Sequence, residues 1–202
     1  MNFTPAAFEM LSSRATLLAS PAHPPVIDAD THLSDPDRLP PGLKAALEAS
    51  PDYFHGRPID ADDLRRELRM SRVDMALIWQ NPAATPYTAD PEANFEVLFA
   101  ANRTIFECAR RHPETFIPAG WTDPKALGLA NALRMADICI GEFGFAVVKM
   151  NPAQNAYPIT SEEVLAVTER IAGPGAATAF HFGADTPYTP AEGLEAVART
   201  FP

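Results

Sequence analysis

Apolar positions along the chain gather into five short runs, Pro25–Asp30, Val73–Gln80, Phe116–Trp121, Phe145–Met150 and Ala177–Phe182. Each is followed by turn residues and then by a stretch whose apolar positions recur with helical spacing. Apolar side chains fill both faces of the runs instead of alternating with polar ones, which predicts buried parallel strands. The helices between them are announced by capping chemistry. Asp90-Pro91 and Asp123-Pro124 place a cap residue before a proline suited to the first helical position. Thr160-Ser161-Glu162-Glu163 and Thr189-Pro190-Ala191-Glu192 fit the capping box. After the first strand the helix is delayed to about Asp60–Arg72, leaving Leu33 to Ile59, rich in Pro and Asp, as a long loop. A loop of that length is usually functional or disordered, and covering a site is the functional reading here. Residues 1–24 stand before the first strand as an N-terminal extension.

Five strand–helix repeats indicate an α/β fold with a parallel sheet, because parallel neighbours need a crossover helix. Two architectures fit: an open doubly wound sheet complete in five strands, or a (β/α)₈ TIM barrel seen to its fifth unit in residues 25–202. Neither G-x-G-x-x-G nor G-x-x-x-x-G-K-[ST] follows the first strand, which removes the commonest nucleotide-binding reasons for the open sheet.

Bulk composition narrows the function. At 47% hydrophobic and 21% charged residues, the chain has the balance of a folded globular protein. Its 202 residues suit one domain with a full core. The net charge of −10, with no basic cluster, argues against nucleic acid as a partner. No apolar run is long enough to cross a bilayer, and Glu9 and Arg14 interrupt the N-terminal apolar positions, so neither a membrane span nor a secretory signal is expected and a cytoplasmic location follows. Cys108 and Cys139 fall on separate predicted helices with no close pairing, and read as buried reduced thiols. The triplets Asn2-Phe3-Thr4 and Asn102-Arg103-Thr104 match the glycosylation pattern, but so short a match arises by chance.

Candidate chemistry stands at the strand ends. Strand one closes with Val26-Ile27-Asp28-Ala29-Asp30-Thr31-His32, and alternation along an extended strand puts Asp28, Asp30 and His32 on one face. A carboxylate and an imidazole two residues apart can bind one cation, and the C-terminal strand end is where barrel enzymes keep their chemistry. The plain alternative is that Asp30 caps a local turn and His32 is a loop residue bonded to it. Strand five shifts the balance, because Thr178-Ala179-Phe180-His181-Phe182-Gly183 places a histidine at the equivalent end, and a closed barrel brings both ends to one mouth. Carboxylate with imidazole suits zinc, manganese or iron.

The strand-one Ile-Asp-Ala-Asp-Thr-His, the strand-four segment from Gly144 to Pro152 and the strand-five Phe-His-Phe-Gly together resemble the amidohydrolase-related family. This is the branch containing aminocarboxymuconate semialdehyde decarboxylase and the resorcylate decarboxylases. The resemblance runs from about Val26 to the last residue. It implies a TIM barrel of the metal-dependent hydrolase type, one divalent ion (zinc first, with manganese or iron as alternatives) on Asp30, His32 and His181, and at least a dimer. Many members carry His-x-His on strand one, where Asp30 here takes the first position. A larger departure is that the family's strand-six histidine and strand-eight aspartate have no counterpart in this sequence. Lys149 matches the position where distant members hold a carbamylated lysine between two metals; within this branch a lysine lining the pocket is implied. Trp79, Asn81 and Trp121, at the ends of strands two and three, are candidates for an aromatic wall against a planar substrate, with ordinary packing beneath the loops as the alternative. His23, His55 and His112 lie away from strand ends, and His112-Pro113 reads as a helix terminus favouring positive charge. The expected function is hydrolysis or decarboxylation of a small organic acid, lactone or amide, and the alternative is a non-catalytic remnant that keeps three ligands without the general acid/base.

Overall fold

The computed structural model describes residues 3–18, 24–35, 37, 39, 41–49, 59–183 and 186–202. Helix α1 (Pro5–Leu18) precedes strand β1 (Ile27–Leu33). There follow α2 (Pro41–Glu48), α3 (Ala61–Ser71), β2 (Met75–Gln80), α4 (Pro91–Arg111), β3 (Phe116–Pro118) and β4 (Gly120–Trp121). The chain continues through α5 (Pro124–Leu127), α6 (Leu129–Asp137), β5 (Val147–Met150), α7 (Pro152–Asn155), α8 (Glu162–Ala172), β6 (Ala177–Phe180) and α9 (Ala191–Thr200). Every predicted run carries strand, and all pairings are parallel, in the orders β1-β2-β3 and β4-β5-β6.

The two sheets are one array. β3 and β4 are a single predicted run interrupted at Ala119, whose N–H still donates to Ile78 O of β2 at 3.0 Å. Beyond the interruption, Trp121 leaves the β2 ladder and pairs its backbone with a side chain instead. Trp121 N donates to Asn102 Oδ1 at 2.9 Å, and Asn102 Nδ2 donates to Trp121 O at 2.9 Å. Asn102, fully buried on α4, therefore stands in for a missing strand. The same burial removes it as a glycosylation acceptor in the folded chain.

β2 is buried along nearly its whole length, as a two-sided apolar run should be. β1 is not: Ile27 to Asp30 are exposed, and β6 is only partly covered. Both are edge strands, with no further strand beside them and no closed barrel among the described residues. Between the strands and the outer helices lies the core, where Ile78, Phe95, Leu98, Ile105, Phe116, Met135, Val148 and Ile171 are sealed from solvent. α4 packs on β2 and β3, and α8 on β6.

Local chemistry set most of the boundaries as predicted. Asp60, Asp90 and Asp123 cap their helices through backbone N–H groups of the first turn, and Ser161 Oγ accepts from Val164 N. The box at Thr189 is a correction. Helix α9 starts from Pro190 with no side-chain cap, while Thr189 Oγ1 donates to Gly183 O at 3.0 Å and accepts from Gly183 N, tying down the loop after β6. Within the long loop after β1, residues 41–48 form α2; residues 50–58 lie outside the described residues.

The N-terminal extension carries a docked helix. α1 buries Ala7 and Met10, Arg14 Nη2 donates to Phe116 O at 2.8 Å, and Thr4 Oγ1 donates to Glu142 O at 2.7 Å. Phe116 opens β3 and Glu142 precedes β5, so α1 covers the N-terminal ends of the strands, opposite the chemistry. At Gly144, φ is +70° and an added Cβ would come within 3.1 Å of the Ala7 methyl, so glycine is required where this helix docks.

Replacing Asn102 by leucine preserves bulk but strands the N–H and C=O of Trp121 in the core. Urea denaturation should show a loss of about 2–4 kcal/mol, since each buried unpaired group costs about 1–3 kcal/mol. A loss under ~0.5 kcal/mol would mean that the side chain is not the strand's partner.

Candidate metal centre

Lys149 Nζ on β5 donates to Asp30 Oδ1 on β1 at 2.9 Å. Three strand spacings separate β1 from β5, roughly 14 Å on a flat sheet at about 4.8 Å each. Side chains standing perpendicular to a flat sheet do not meet across that span, so the bond requires the sheet to curl as a barrel wall does. His32 on β1 and Trp121 at the end of β4 also meet across the interior, with ring centroids 6.0 Å apart.

Curvature gathers five predicted residues. The Lys149 ammonium lies 4.8 Å from the Trp79 ring centre and 5.2 Å from that of Trp121. Its side chain is 5% exposed, against 61% for Asp30. Two indole faces and one carboxylate thus compensate a cation taken out of water. His32 Nε2 is 3.6 Å from the same Asp30 oxygen, and His32 Nδ1 is 2.8 Å from the Gln80 carbonyl. A carbonyl only accepts, so in the neutral ring Nδ1 carries the proton and Nε2 presents its lone pair on the side of Asp30. That is how a backbone acceptor orients a metal-binding imidazole.

The grouping of Asp30 with His32 survives, but the single face assigned to Asp28, Asp30 and His32 does not. Asp28 pairs with Ala76, Thr31 with Ile78 and His32 with Trp79, so an extra residue is inserted between Asp28 and Thr31. This bulge breaks the alternation: Asp28 takes the register of Ala76 and Ile78, and His32 that of Trp79. Asp28 Oδ1 accepts from Asp30 N at 3.2 Å, inside the bulge.

His181 follows β6, its N–H donating to Met150 O at 3.0 Å and continuing the ladder. It is two residues past Ala179, the register partner of Lys149. No group of three or more His, Cys, Asp or Glu side chains close enough to hold a metal occurs among the described residues, so His181 does not complete a three-ligand cluster with Asp30 and His32 there. Asn81 shapes the rim: its Oδ1 accepts from Ala83 N at 3.0 Å, capping a short 3₁₀ turn over Pro82–Ala84. His112 corrects the expectation of a favoured charge, because burial and the nearby Arg65 push its pKa below the usual histidine value. His23 and His55 lie outside the described residues.

Sequence reading missed the polar wall beside this cluster. A cleft of about 270 Å³ opens at the ends of β2 and β4, lined by Gln80, Thr85, Tyr87, Trp121, Gln154 and Asn155. Thr85 Oγ1 donates to Gln80 Oε1 at 2.6 Å, fixing that amide. Behind the cleft, Asp123 is fully buried; Lys125 N, Ala126 N and Asn155 Nδ2 donate to its carboxylate. Burial still pushes its pKa above the ordinary value, and burial, with the Asp123 charge adding to it, raises Tyr87 and Tyr157. The indole N–H of Trp79 is buried with no hydrogen-bond partner among the described residues. Such an orphan donor costs about 1–3 kcal/mol until an acceptor arrives.

No protein-family model and no curated protein matches the sequence. Solved structures do. A 5-carboxyvanillate decarboxylase from Novosphingobium aromaticivorans, with bound manganese and 3-methoxy-4-hydroxy-5-nitrobenzoic acid, matches at TM-score 0.63 and 15% identity over 85% of this chain and 55% of its own. A 2,6-dihydroxybenzoate decarboxylase from Rhizobium matches at 0.62 and 16% over 84% and 53%. An amidohydrolase II matches at 0.60 and 15% over 87% and 57%. At these identities the likeness shows the fold alone: part of an α/β barrel. The chain spans about half the length of the solved structures it matches.

Both cysteines are free and buried, away from this chemistry. Burial pushes the Cys139 thiol up to about 12 and raises Cys108 as well. Because only the thiolate reacts, neither should titrate with a disulfide reagent at about pH 8 in the native protein, and both should after unfolding in urea. Rapid native labelling at either position would contradict the burial.

Proposed function

We propose that this chain is a metal-dependent hydrolase or decarboxylase of the amidohydrolase-related family, acting on a small organic acid, with planar aromatic acids first, or on a lactone or amide. The observation that carries the reading is the Asp30–His32 pair, with its imidazole oriented by the Gln80 carbonyl at the inner end of a curled parallel sheet. In this proposal Asp30 and the Nε2 of His32 would supply two ligands to a divalent cation, and His181, which does not join them in this structure, would be the third. Zinc, manganese and iron all accept this set. When bound there, a divalent ion supplies Lewis acidity toward a substrate oxygen.

The chain's own residues do the rest. Trp79 and Trp121 offer flat apolar faces to an aromatic ring, and the orphan N–H of Trp79 offers a hydrogen bond to one of its oxygens. Lys149 contributes positive charge beside the carboxyl group, and Asn81 holds the rim turn in place. The 2,6-dihydroxybenzoate and 5-carboxyvanillate decarboxylases among the structural neighbours support aromatic acids as the substrate class. Assembly as at least a dimer and a cytoplasmic location are part of the same proposal; no helix among the described residues is long and apolar enough to cross a membrane.

Metal analysis of the purified chain tests the reading. It should hold close to one equivalent of a divalent ion, and Asp30→Ala or His181→Ala should weaken retention roughly ten-fold or more. Turnover of hydroxylated benzoates, followed as CO₂ release, should fall with the metal. A protein that purifies and reconstitutes without metal is a non-catalytic remnant, the competing reading.

A further inference from the structure

The cleft at the ends of β2 and β4 combines apolar surface from Pro82, Pro86 and Trp121 with the polar side chains of Gln80 and Tyr87. The Gln80 side-chain oxygen is already taken, because Thr85 Oγ1 donates to Oε1 at 2.6 Å. That bond fixes an amide only 2% exposed, and its Nε2 hydrogens meet no acceptor among the described residues. Tyr87 adds a second donor, since its hydroxyl is buried and has no hydrogen-bond partner among the described residues. Gln154, at the rim, repeats the Gln80 arrangement, its Oε1 accepting from Asn151 Nδ2 at 2.6 Å. We infer that this cleft is a binding site for a small neutral molecule or ring substituent carrying a carbonyl oxygen, which accepts from Gln80 Nε2 and Tyr87 Oη.

Size, rigidity and charge each narrow the ligand. An apolar cavity of roughly 150 Å³ takes one benzene ring, so about 270 Å³ holds a ring with one small substituent. The walls are fixed before a ligand arrives. Pro82 opens a 3₁₀ turn capped by Asn81 Oδ1, Thr85 N donates to Pro82 O at 3.2 Å, and the Pro86 ring fixes its own φ. The lining is uncharged, and behind it stands the fully buried Asp123 carboxylate, which accepts from the lining side chain of Asn155. Burial first, and the Asp123 charge second, hold the Tyr87 phenol in its protonated, donating form. The Lys125 ammonium is spent on the Asn155 and Ala156 carbonyls. A carboxylate ligand would meet the Asp123 charge with no cation among the lining residues. A ketone, ester or amide carbonyl takes the same hydrogen bonds without that repulsion.

Two unmatched donors in one cleft are a standing penalty that an incoming acceptor removes. Gln80 acts on His32 only through its main-chain carbonyl, so its side chain is available for this second role. The site needs no ion and does not rest on the metal-dependent reading.

The experiment is ligand-observed fluorine NMR on the full native chain, with para-fluoroacetophenone as the neutral carbonyl probe and para-fluorobenzoate as the anion. Both are titrated against the native chain, Tyr87→Phe and Gln80→Met, with circular dichroism as the check on folding. The native chain should bind the ketone at least about five-fold tighter than the carboxylate. Each substitution removes one donor and should weaken ketone binding about five-fold, the worth of one neutral hydrogen bond. Gln80→Met keeps the side-chain length, and Thr85 Oγ1 retains Asn81 O, at 3.2 Å, as an acceptor. Carboxylate binding as tight as that of the ketone, or no ketone binding at all, overturns the inference on the native chain alone. Ketone affinity unchanged in either folded variant overturns it as well, because the probe then sits elsewhere. Metal content of the purified chain bears on the metal-dependent reading and leaves this comparison untouched.

Discussion

Burying the Lys149 ammonium is the constraint around which the C-terminal end of this sheet is arranged. A cation at 5% exposure needs neighbours that replace water, and the chain supplies them from three other strands. Trp79 comes from β2, Trp121 from β4 and Asp30 from β1. Because β1 and β5 are not neighbours, satisfying the charge curls the sheet. The same curvature brings His32 over Trp121, and the Trp121 backbone, detached from β2, is held by Asn102. One charge therefore couples the barrel-like shape to the identity of the site residues.

Much of this was legible in the chain, for physical reasons that also mark where legibility ended. The five runs declared themselves because interior parallel strands are apolar on both faces. The exposure of β1 was not visible, because it depends on which strand lies beside it and not on its own residues. The helix α1 gave little warning: of its described residues only Ala7 and Met10 are deeply buried, so it has no broad apolar stripe. It is held largely by Arg14 and Thr4 reaching backbone carbonyls, bonds that leave no periodic trace.

The site was legible to the level of residue type and not of geometry. Strict alternation put Asp28 with Asp30 and His32, and a single inserted residue separated them, since a side-chain period of two has no tolerance for a bulge. Asp123 was read as a helix cap and is one, yet the same carboxylate adds to the burial that raises Tyr87 and Tyr157. Gln80 escaped notice because it acts on His32 through its backbone carbonyl, which every residue has, and on the cleft through an amide fixed by Thr85. Thr189 shows the converse: a good capping pattern lost to a competing bond, because its hydroxyl found the Gly183 backbone first.

The Asp30 carboxylate lies between the His32 imidazole and the Lys149 ammonium, which supplies its counter-charge from within the chain. A lysine placed on β5 thus acts through one position as counter-charge to Asp30 and as the tie that shapes the half-barrel.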